Sequence, residues 1–125
     1  MGQKYLIDTN VLIDAQMKHL PNNGLDFLSK VVNENFIISF ITQIEYLGYK
    51  NINKISEEFI SLADVIGIDK YIIQTCINLR KNYKIKLPDA LIAATALARN
   101  FTLVTNNEED FAFIPNLNII NPRLL

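Results

Sequence analysis

Residues 4–16 read Lys-Tyr-Leu-Ile-Asp-Thr-Asn-Val-Leu-Ile-Asp-Ala-Gln, and this stretch decides the fold. The apolar run at its start predicts a short strand over residues 4–7, and residues 9–16 have the spacing of a helix. Asp8 stands between the two, so its carboxylate falls at the carboxyl end of the strand. A strand that leads directly into a helix is the first half of a βαβ unit.

The rest of the chain continues this alternation of strand and helix signals. Further strands are predicted at residues 36–38, 64–68, 101–104 and 117–120. Helices are predicted at residues 25–33, 41–49, 56–62, 69–82 and 88–100, and a turn-rich loop at residues 19–24. Because strands that alternate with helices form βαβ units, we expect a single α/β domain over residues 1–125, with a parallel sheet flanked by helices on both faces. In such folds ligands bind beyond the carboxyl ends of the strands, where the strand order reverses.

Composition excludes several classes of protein. The chain has 125 residues, of which 50% are hydrophobic, and a chain of this size buries about two-thirds of its unfolded surface. The single cysteine, Cys76, cannot form an internal disulfide, and no Cys/His set has the spacing of a zinc site. The start of the chain has no signal-peptide pattern, and no apolar stretch approaches the ~20 residues of a membrane span, so we expect a soluble cytoplasmic protein.

Four acidic residues stand at the ends of apolar segments, and together they predict a metal site. They are Asp8, Glu45, Asp89 and Asp110. By helical spacing Asp89 lies above Ile92, and Glu45 shares a face with Ile41 and Ile44, which predicts that both acids point inward. Carboxylates that are brought together repel one another and share burial only with protons or cations. Their oxygens suit a hard cation such as Mg²⁺, so we expect a metal-dependent phosphodiesterase site.

Each acid also has a simpler interpretation as a helix cap. Asp8 can cap the helix that follows it, and residues 42–45 and 105–108 both fit a capping box. Asp89, in a first helical turn, can stabilise the positive end of the helix dipole. A capping acid belongs on the solvent side of its helix, whereas the apolar spacing places Glu45 and Asp89 inward. That difference favours a shared site.

The net charge of −1 lacks the strongly basic balance of many nucleic-acid binders, but one segment is locally basic. Arg80, Lys81, Lys84 and Lys86 lie within seven residues, just before Asp89. They are either a solvated helix end, where cations complement the dipole, or a guide for RNA phosphates. On the second interpretation Lys84 and Lys86 are the residues that contact the substrate.

Four segments, in this order and at this spacing, resemble the PIN-domain nucleases, and specifically the small VapC-type ribonuclease toxins of toxin–antitoxin modules. The segments are Leu6–Asp14, Thr42–Glu45, Leu87–Ala96 and Leu103–Phe111. They span almost the whole chain. The resemblance implies a PIN-like fold in which three carboxylates hold Mg²⁺ or Mn²⁺, namely Asp8, Glu45 and Asp89. It also implies that Asp110 or Asn107 completes the acidic pocket.

The resemblance also implies supporting roles for polar neighbours of these acids. Thr9, Asn10 and Thr105 would support the metal or the scissile phosphate. Asn107 stands where members of the family often carry Asp, and a neutral amide there weakens a second metal position. Asp14 matches another frequently acidic position, but one helical turn beyond Asn10 it can equally be solvated surface.

The implied activity is endonucleolytic hydrolysis of RNA, in which a cation polarises a phosphoryl oxygen and activates water. No histidine base is needed, which suits a chain whose only histidine is His19. The implied partners are an RNA substrate, a cognate antitoxin and a second copy of the chain in a homodimer. Apolar residues around Glu45 are either core or part of an interface; they are Phe40, Tyr46, Leu47 and Tyr49. The alternative is a catalytically inactive PIN-like module that binds protein or RNA, with Asn107 marking lost chemistry.

Rival α/β classes lack their signatures in this sequence. A phosphoacceptor receiver domain needs paired acids after its first strand, and here Asp8 is followed by Thr9 and Asn10. An Asp-x-Asp phosphatase fails because Asn10 replaces the second Asp. The nucleophile motif of serine hydrolases and a glycine-rich phosphate loop are both missing from the sequence.

Overall fold

The computed structural model describes residues 2–125, and in that part of the chain five short strands alternate with six α-helices. Their bounds, in chain order, are β1 Tyr5–Ile7, α1 Thr9–Gln16, α2 Asn22–Glu34, β2 Ile37–Ser39, α3 Phe40–Leu47, α4 Lys54–Ile60, β3 Asp64–Ile66, α5 Lys70–Asn82, α6 Leu87–Arg99, β4 Thr102–Val104 and β5 Ile119–Ile120. Short 3-10 turns follow β4 and β5, at Glu108–Asp110 and Pro122–Leu124. Among residues 2–125, no helix has the length and apolar character that a bilayer crossing requires.

The paired strands are parallel and form two hydrogen-bonded sheets. One sheet has the order β1-β4-β5, and the other pairs β2 with β3. β1 lies against β2, so the order across the molecule is β3-β2-β1-β4-β5. The strand order therefore reverses at β1. The carboxyl ends of β1, β2 and β4 share the edge where folds of this kind place their sites.

Each side of the sheet has its own apolar core, because successive residues in a strand face opposite sides. Leu6 of β1 and Leu103 of β4 pack with residues of α5 and α6. Their neighbours Ile7 and Val104 pack with residues of α1, α2 and α4 on the other side. These two cores confirm the predicted α/β fold with helices on both faces of a parallel sheet.

Helix α2 begins earlier than the sequence predicts. Residues 19–24 predicted a turn-rich loop, but Asn22 already opens α2 and Gly24 lies in its first turn. Gly24 is buried, and a Cβ atom there would collide with the backbone carbonyl of Pro122. The glycine therefore marks a close approach between α2 and the C-terminal turn. Sequence spacing alone gave no sign of that contact.

β1 and β4 are each one residue shorter than predicted, and β3 and β5 are each two residues shorter. β3 ends at residue 66 instead of 68, and β5 spans residues 119–120 instead of 117–120. β3 ends opposite Ser39, the last residue of its partner β2, so residues 67–68 lie beyond that register. β5 pairs with β4 only at Ile119 and Ile120, so residues 117–118 lie outside its register. The length of a short strand is set by its neighbour, which the local sequence does not encode.

Candidate active site

Asp8 lies at the junction of β1 and α1, and its side chain is only 4% exposed. The backbone N–H of Thr9 donates to Asp8 Oδ1 at 2.8 Å, and the Thr105 hydroxyl donates to Oδ2 at 2.8 Å. Thr105 directly follows β4, which pairs with β1, so the sheet register brings these distant residues together. Asp8 is thus the N-cap of α1, as the simpler interpretation predicted, and also a fixed carboxylate at the sheet edge.

Glu45 reaches the same edge from α3. The Thr9 hydroxyl donates to Glu45 Oε1 at 2.7 Å, and Thr42 Oγ1 lies 3.1 Å from the same hydroxyl oxygen. Thr9 therefore holds Asp8 through its backbone N–H and Glu45 through its side chain. One residue joins two of the predicted metal ligands.

Two predictions about α3 are wrong. Ser39 caps this helix, because its hydroxyl accepts from two backbone N–H groups of the first turn. Thr42 is inside the helix and 1% exposed, so residues 42–45 are not a capping box. Of the predicted inward face, Ile41 packs against the core, but Ile44 is 64% exposed and Glu45 is exposed too. The buried residues of α3 are Thr42 and Tyr46, and Glu45 joins the site from the rim.

Asp89 is half-buried in the first turn of α6, and Ile92 below it is buried, as the helical spacing predicts. Burial raises the pKa of Asp89 above its ordinary value, and the charges of Asp110 and Glu45 raise it further. The Lys86 ammonium acts in the opposite direction. Asp89 therefore lies within electrostatic reach of both other acidic segments.

The charged form of the Asp8 carboxyl is disfavoured by its surroundings, which raises its pKa. Burial raises the pKa of its carboxyl from 3.8 to about 6, the charges of Asp89 and Glu45 add to that rise, and hydrogen bonds from Thr105 and Thr9 oppose it. The carboxylates of Glu45 and Asp89 thus disfavour the charged form of Asp8. A bound proton or a bound cation relieves such repulsion.

The predicted substrate lysines lie beside the acids. Lys84, Lys86, Asp89 and Asp110 line one cavity of about 410 Å³. Asp110 is exposed and also lines a second, smaller depression that includes Asn107. The basic residues before Asp89 therefore supply positively charged side chains both beside the candidate acids and at the C-terminal end of α5.

The remaining predicted support residues are held in different ways. The N–H of Asn107 donates to the Thr105 hydroxyl oxygen at 3.1 Å, which ties it to the loop that holds Asp8. Asn10 contributes its backbone carbonyl, which accepts from Asn106 Nδ2 at 3.4 Å. Residues 105–108 do not form the predicted capping box, because the 3-10 turn begins at Glu108 without a side-chain cap.

Asp14 is not solvated surface, so that interpretation is wrong. It is 5% exposed, and Arg123 donates to both of its carboxylate oxygens, at 2.7 and 2.8 Å. Asn106 Nδ2 donates to Oδ2 at 2.6 Å. Burial raises the pKa of Asp14, but the hydrogen bonds from Arg123 and Asn106 and the positive charge of Arg123 outweigh burial and lower it.

Sequence reasoning missed Asn106 and Arg123 as parts of this network. Asn106 adjoins Thr105 within a segment already singled out, so its position was a usable signal. Arg123 is 109 residues from Asp14 and stands in no motif, so the sequence alone offered no signal for it.

The arrangement and the chemistry of the acids determine whether they can hold a metal ion. Within residues 2–125, no group of three or more His, Cys, Asp or Glu side chains converges closely enough to hold a metal ion alone. The donor set of carboxylate oxygens nevertheless suits Mg²⁺, which is usually bound by one or two carboxylates together with waters and substrate phosphates. The residues fit a cation whose coordination shell is shared with solvent and substrate.

The chain belongs to the PIN-domain family, whose family model matches residues 5–116. A curated relative, Ribonuclease VapC2 of Rickettsia felis, is 34% identical over 131 residues. That alignment covers 94% of this chain and 96% of the relative. The match agrees with the four segments from which the resemblance to VapC-type toxins was predicted.

Solved structures give the same result. A chain in a toxin–antitoxin complex from Klebsiella pneumoniae is 32% identical, with a TM-score of 0.74 over 95% of this chain and 98% of that one. A chain of VapBC2 from Rickettsia felis bound to a DNA fragment from its promoter is also 32% identical, with a TM-score of 0.75 and the same two coverages. The predicted PIN fold and VapC-type resemblance are confirmed.

Proposed function

We propose that this protein is a metal-dependent endoribonuclease and the toxin of a toxin–antitoxin pair. The observation that carries the proposal is the convergence of Asp8, Glu45 and Asp89 at one sheet edge, where the charges of the other two help to raise the pKa of Asp8. A capping role alone does not explain why these carboxylates lie near one another, because repulsion between like charges destabilises the fold. The ribonuclease from Rickettsia felis to which the chain is similar supports RNA as the substrate.

The proposed cofactor is Mg²⁺ or Mn²⁺, with Asp8, Glu45 and Asp89 as its carboxylate ligands and Asp110 completing the acidic pocket. When bound, such a cation polarises a phosphoryl oxygen and lowers the pKa of the attacking water. Asn107 offers an amide in place of a carboxylate, so the proposal requires only one cation.

The chain's own residues supply the positioning. Thr9 and Thr105 each occupy one lone pair of the Asp8 carboxylate, which leaves both oxygens further acceptor capacity. The Thr9 hydroxyl orients Glu45 toward the same edge. Lys84 and Lys86 are the proposed contacts for RNA phosphates, which their position in the cavity that Asp89 also lines supports.

The proposed partners are an antitoxin and a second copy of the chain. The similar chains from Klebsiella pneumoniae and Rickettsia felis belong to toxin–antitoxin and VapBC assemblies, which supports an antitoxin here. Tyr46 is core, but Ile44 and Leu47 on α3 are 64% and 41% exposed, which supports a homodimer. We further propose that residues 1–125 act as one domain in the cytoplasm, where a lone buried Cys76 stays reduced.

The deciding experiment is RNA cleavage by the purified protein with Mn²⁺, with Mg²⁺ and with EDTA. Wild type should cleave mixed RNA only with a divalent cation. Asp8→Asn and Asp89→Asn should lose cleavage while remaining folded. Asp26→Asn, a matched control on the exposed side of α2, should cleave like wild type.

A second measurement tests the cation independently of RNA. Mn²⁺ should raise the melting temperature of wild type, because only the folded chain assembles the carboxylates. The rise should shrink as pH falls and protons compete for the ligands. Asp8→Asn should show a smaller rise. An unchanged wild-type melting temperature at neutral pH would contradict the proposed metal site.

The alternative function is an inactive PIN-like binding module. Two observations favour it: the amide at Asn107, and the open arrangement of carboxylates within residues 2–125. This alternative predicts that wild type and Asp8→Asn bind RNA or a protein partner equally and that neither cleaves. Cation-dependent cleavage that Asp8→Asn abolishes would exclude it.

A further inference from the structure

The turn after Asp110 buries two apolar side chains and leaves a third in the site cavity. Phe111 is 0% exposed and Ile114 is 4% exposed, whereas Phe113 between them is 44% exposed. The N–H of Ile114 donates to the Phe111 carbonyl at 3.0 Å, which tightens the turn. Because its neighbours are anchored in the core, Phe113 is held outward on a fixed stretch of backbone.

Phe113 is not an isolated exposed apolar residue of the kind common on protein surfaces. Its ring lies beside that of Tyr83, with centroids 5.4 Å apart and planes at 50°. It also lines the same 410 Å³ cavity as Asp89 and Asp110. The Phe113 ring therefore contacts Tyr83 and forms part of the wall of the cavity that Asp89 and Asp110 also line.

The charges around Phe113 fall into two groups. Three cationic side chains line the cavity, Arg80, Lys84 and Lys86, and so do three carboxylates, Asp89, Glu109 and Asp110. Arg80 is fixed in the wall, because its Nη1 donates to the Ile85 carbonyl at 2.7 Å. An aromatic face beside cations is the combination that binds single-stranded nucleic acid, through stacked bases and phosphates.

We propose that Phe113 is the stacking platform for an unpaired base of the RNA substrate, adjacent to the phosphate at the acidic edge. The inference rests on the proposed function, since it assigns a substrate subsite in the same cavity. Every base has a π-face, so this contact selects for single-stranded RNA without selecting a sequence. In a duplex the bases are stacked on each other and are not free to occupy the platform.

The chain contains no tryptophan, so Phe113→Trp introduces a single tryptophan at the proposed subsite, and its fluorescence can be excited selectively over that of the tyrosines. A short single-stranded RNA oligomer, added in EDTA to prevent cleavage, should quench its fluorescence through stacking. An abasic oligomer of the same length, which keeps the phosphates, should quench much less. Tyr71→Trp is the matched control, because Tyr71 is 66% exposed on α5 and does not line the cavity. Equal quenching by the abasic oligomer would overturn the proposal.

Binding and kinetics of two further variants give the second test. Phe113→Leu should weaken binding of the RNA oligomer by roughly 5- to 150-fold, as expected for the loss of one stacked base, and Phe113→Tyr should restore it. In cleavage assays Phe113→Leu should raise KM and leave kcat near wild type at saturating RNA. If Phe113→Leu binds RNA as tightly as wild type, the stacking role is wrong, and a protein contact at this residue becomes the better interpretation.

The two proposals fail in different measurements. Absence of cation-dependent cleavage in wild type would refute the nuclease function, while the oligomer titration in EDTA would still report stacking at Phe113. Cleavage that Asp8→Asn abolishes and Phe113→Leu leaves unchanged in KM would refute the stacking subsite alone. Because Phe113 is exposed, its replacement is not expected to disturb the core, and an unchanged melting temperature checks this.

Discussion

Arg123 donates two hydrogen bonds to Asp14 across 109 residues of sequence, from Nε to Oδ2 at 2.7 Å and from Nη2 to Oδ1 at 2.8 Å. Asn106 donates to the same carboxylate, and its neighbour Thr105 donates to Asp8. The C-terminal turn is therefore connected, through α1 and the loop after β4, to the best-buried acid of the candidate site.

The first prediction concerns this ion pair. Arg123→Ala should lower the free energy of unfolding by roughly 1–3 kcal/mol, because it leaves a buried carboxylate with fewer donors. The pKa of Asp14 is lowered in the folded state, so its stabilisation is present above its ordinary pKa of 3.8 and is lost as pH falls through the folded value. Urea unfolding at several pH values should show the difference between wild type and Arg123→Ala shrinking in acid.

Arg99→Ala is the matched control for that prediction. Arg99 also pairs with an aspartate, Asp69, at 2.9 Å, but both side chains are more than a third exposed. Exposed pairs of this kind contribute little to stability, so Arg99→Ala should destabilise the fold less than Arg123→Ala does. Equal destabilisation by both alanine variants would show that the burial of Asp14 does not increase the contribution of the Arg123 pair to stability.

The second prediction concerns Asp8 in metal-free protein. Its pKa is raised from 3.8 to about 6, so its contribution to stability is full below 3.8 and is lost as pH rises through about 6. Asp8→Asn removes this loss. At neutral pH in EDTA the variant should therefore be more stable than wild type by about 1–3 kcal/mol, since one unit of pKa shift corresponds to about 1.4 kcal/mol.

Denaturation of wild type and Asp8→Asn across this pH range is the measurement. The advantage of Asp8→Asn should be smallest in acid and grow toward neutral pH. Added Mn²⁺ should stabilise wild type more than the variant and reduce that advantage. A variant that is less stable than wild type at neutral pH would indicate that Asp8 acts mainly as a helix cap.

The third prediction concerns Gly24. Alanine is the better helix former by about 1 kcal/mol, but a Cβ at this position meets the Pro122 carbonyl. Overpacking of this kind typically costs about 1–3 kcal/mol, so Gly24→Ala should lower the melting temperature. Gly67→Ala is the control, because a Cβ there has no neighbour within 4 Å. A Gly24→Ala protein as stable as Gly67→Ala would show that the C-terminal turn is not packed against α2.

The fourth prediction concerns the two lysines that line the cavity. Replacing Lys84 and Lys86 together by alanine should weaken RNA binding and flatten the slope of log K against log salt by roughly 1.4, the value for two contacts to a single strand. Cleavage at saturating RNA should persist, because neither lysine holds the cation. Lys30 and Lys54, exposed on α2 and α4, provide a control pair with the same loss of charge. Identical salt slopes for both double variants would leave Lys84 and Lys86 as ordinary solvated surface.

Much of the fold could be predicted because it depends on local patterns. The apolar runs before Asp8 and Thr105 predicted β1 and β4, and the spacing from Asp89 predicted the buried face of α6. The four segments that resemble PIN-domain nucleases predicted which residues form the candidate site. The face of α3 was predicted wrongly, because its packing against α1, α6 and the sheet buries Thr42 and Tyr46 and leaves Ile44 exposed.

The sequence by itself determined which segments become strands and helices and which acids end them, since propensity and periodicity are properties of neighbouring residues. Only the tertiary structure decided which distant groups meet. Thr105 reaches Asp8 through the register of β1 and β4, and Arg123 reaches Asp14 from a turn without a motif. Phe113 faces the cavity only because Phe111 and Ile114 take the core positions on either side. Such contacts depend on how whole elements pack, and a single sequence does not encode that packing locally.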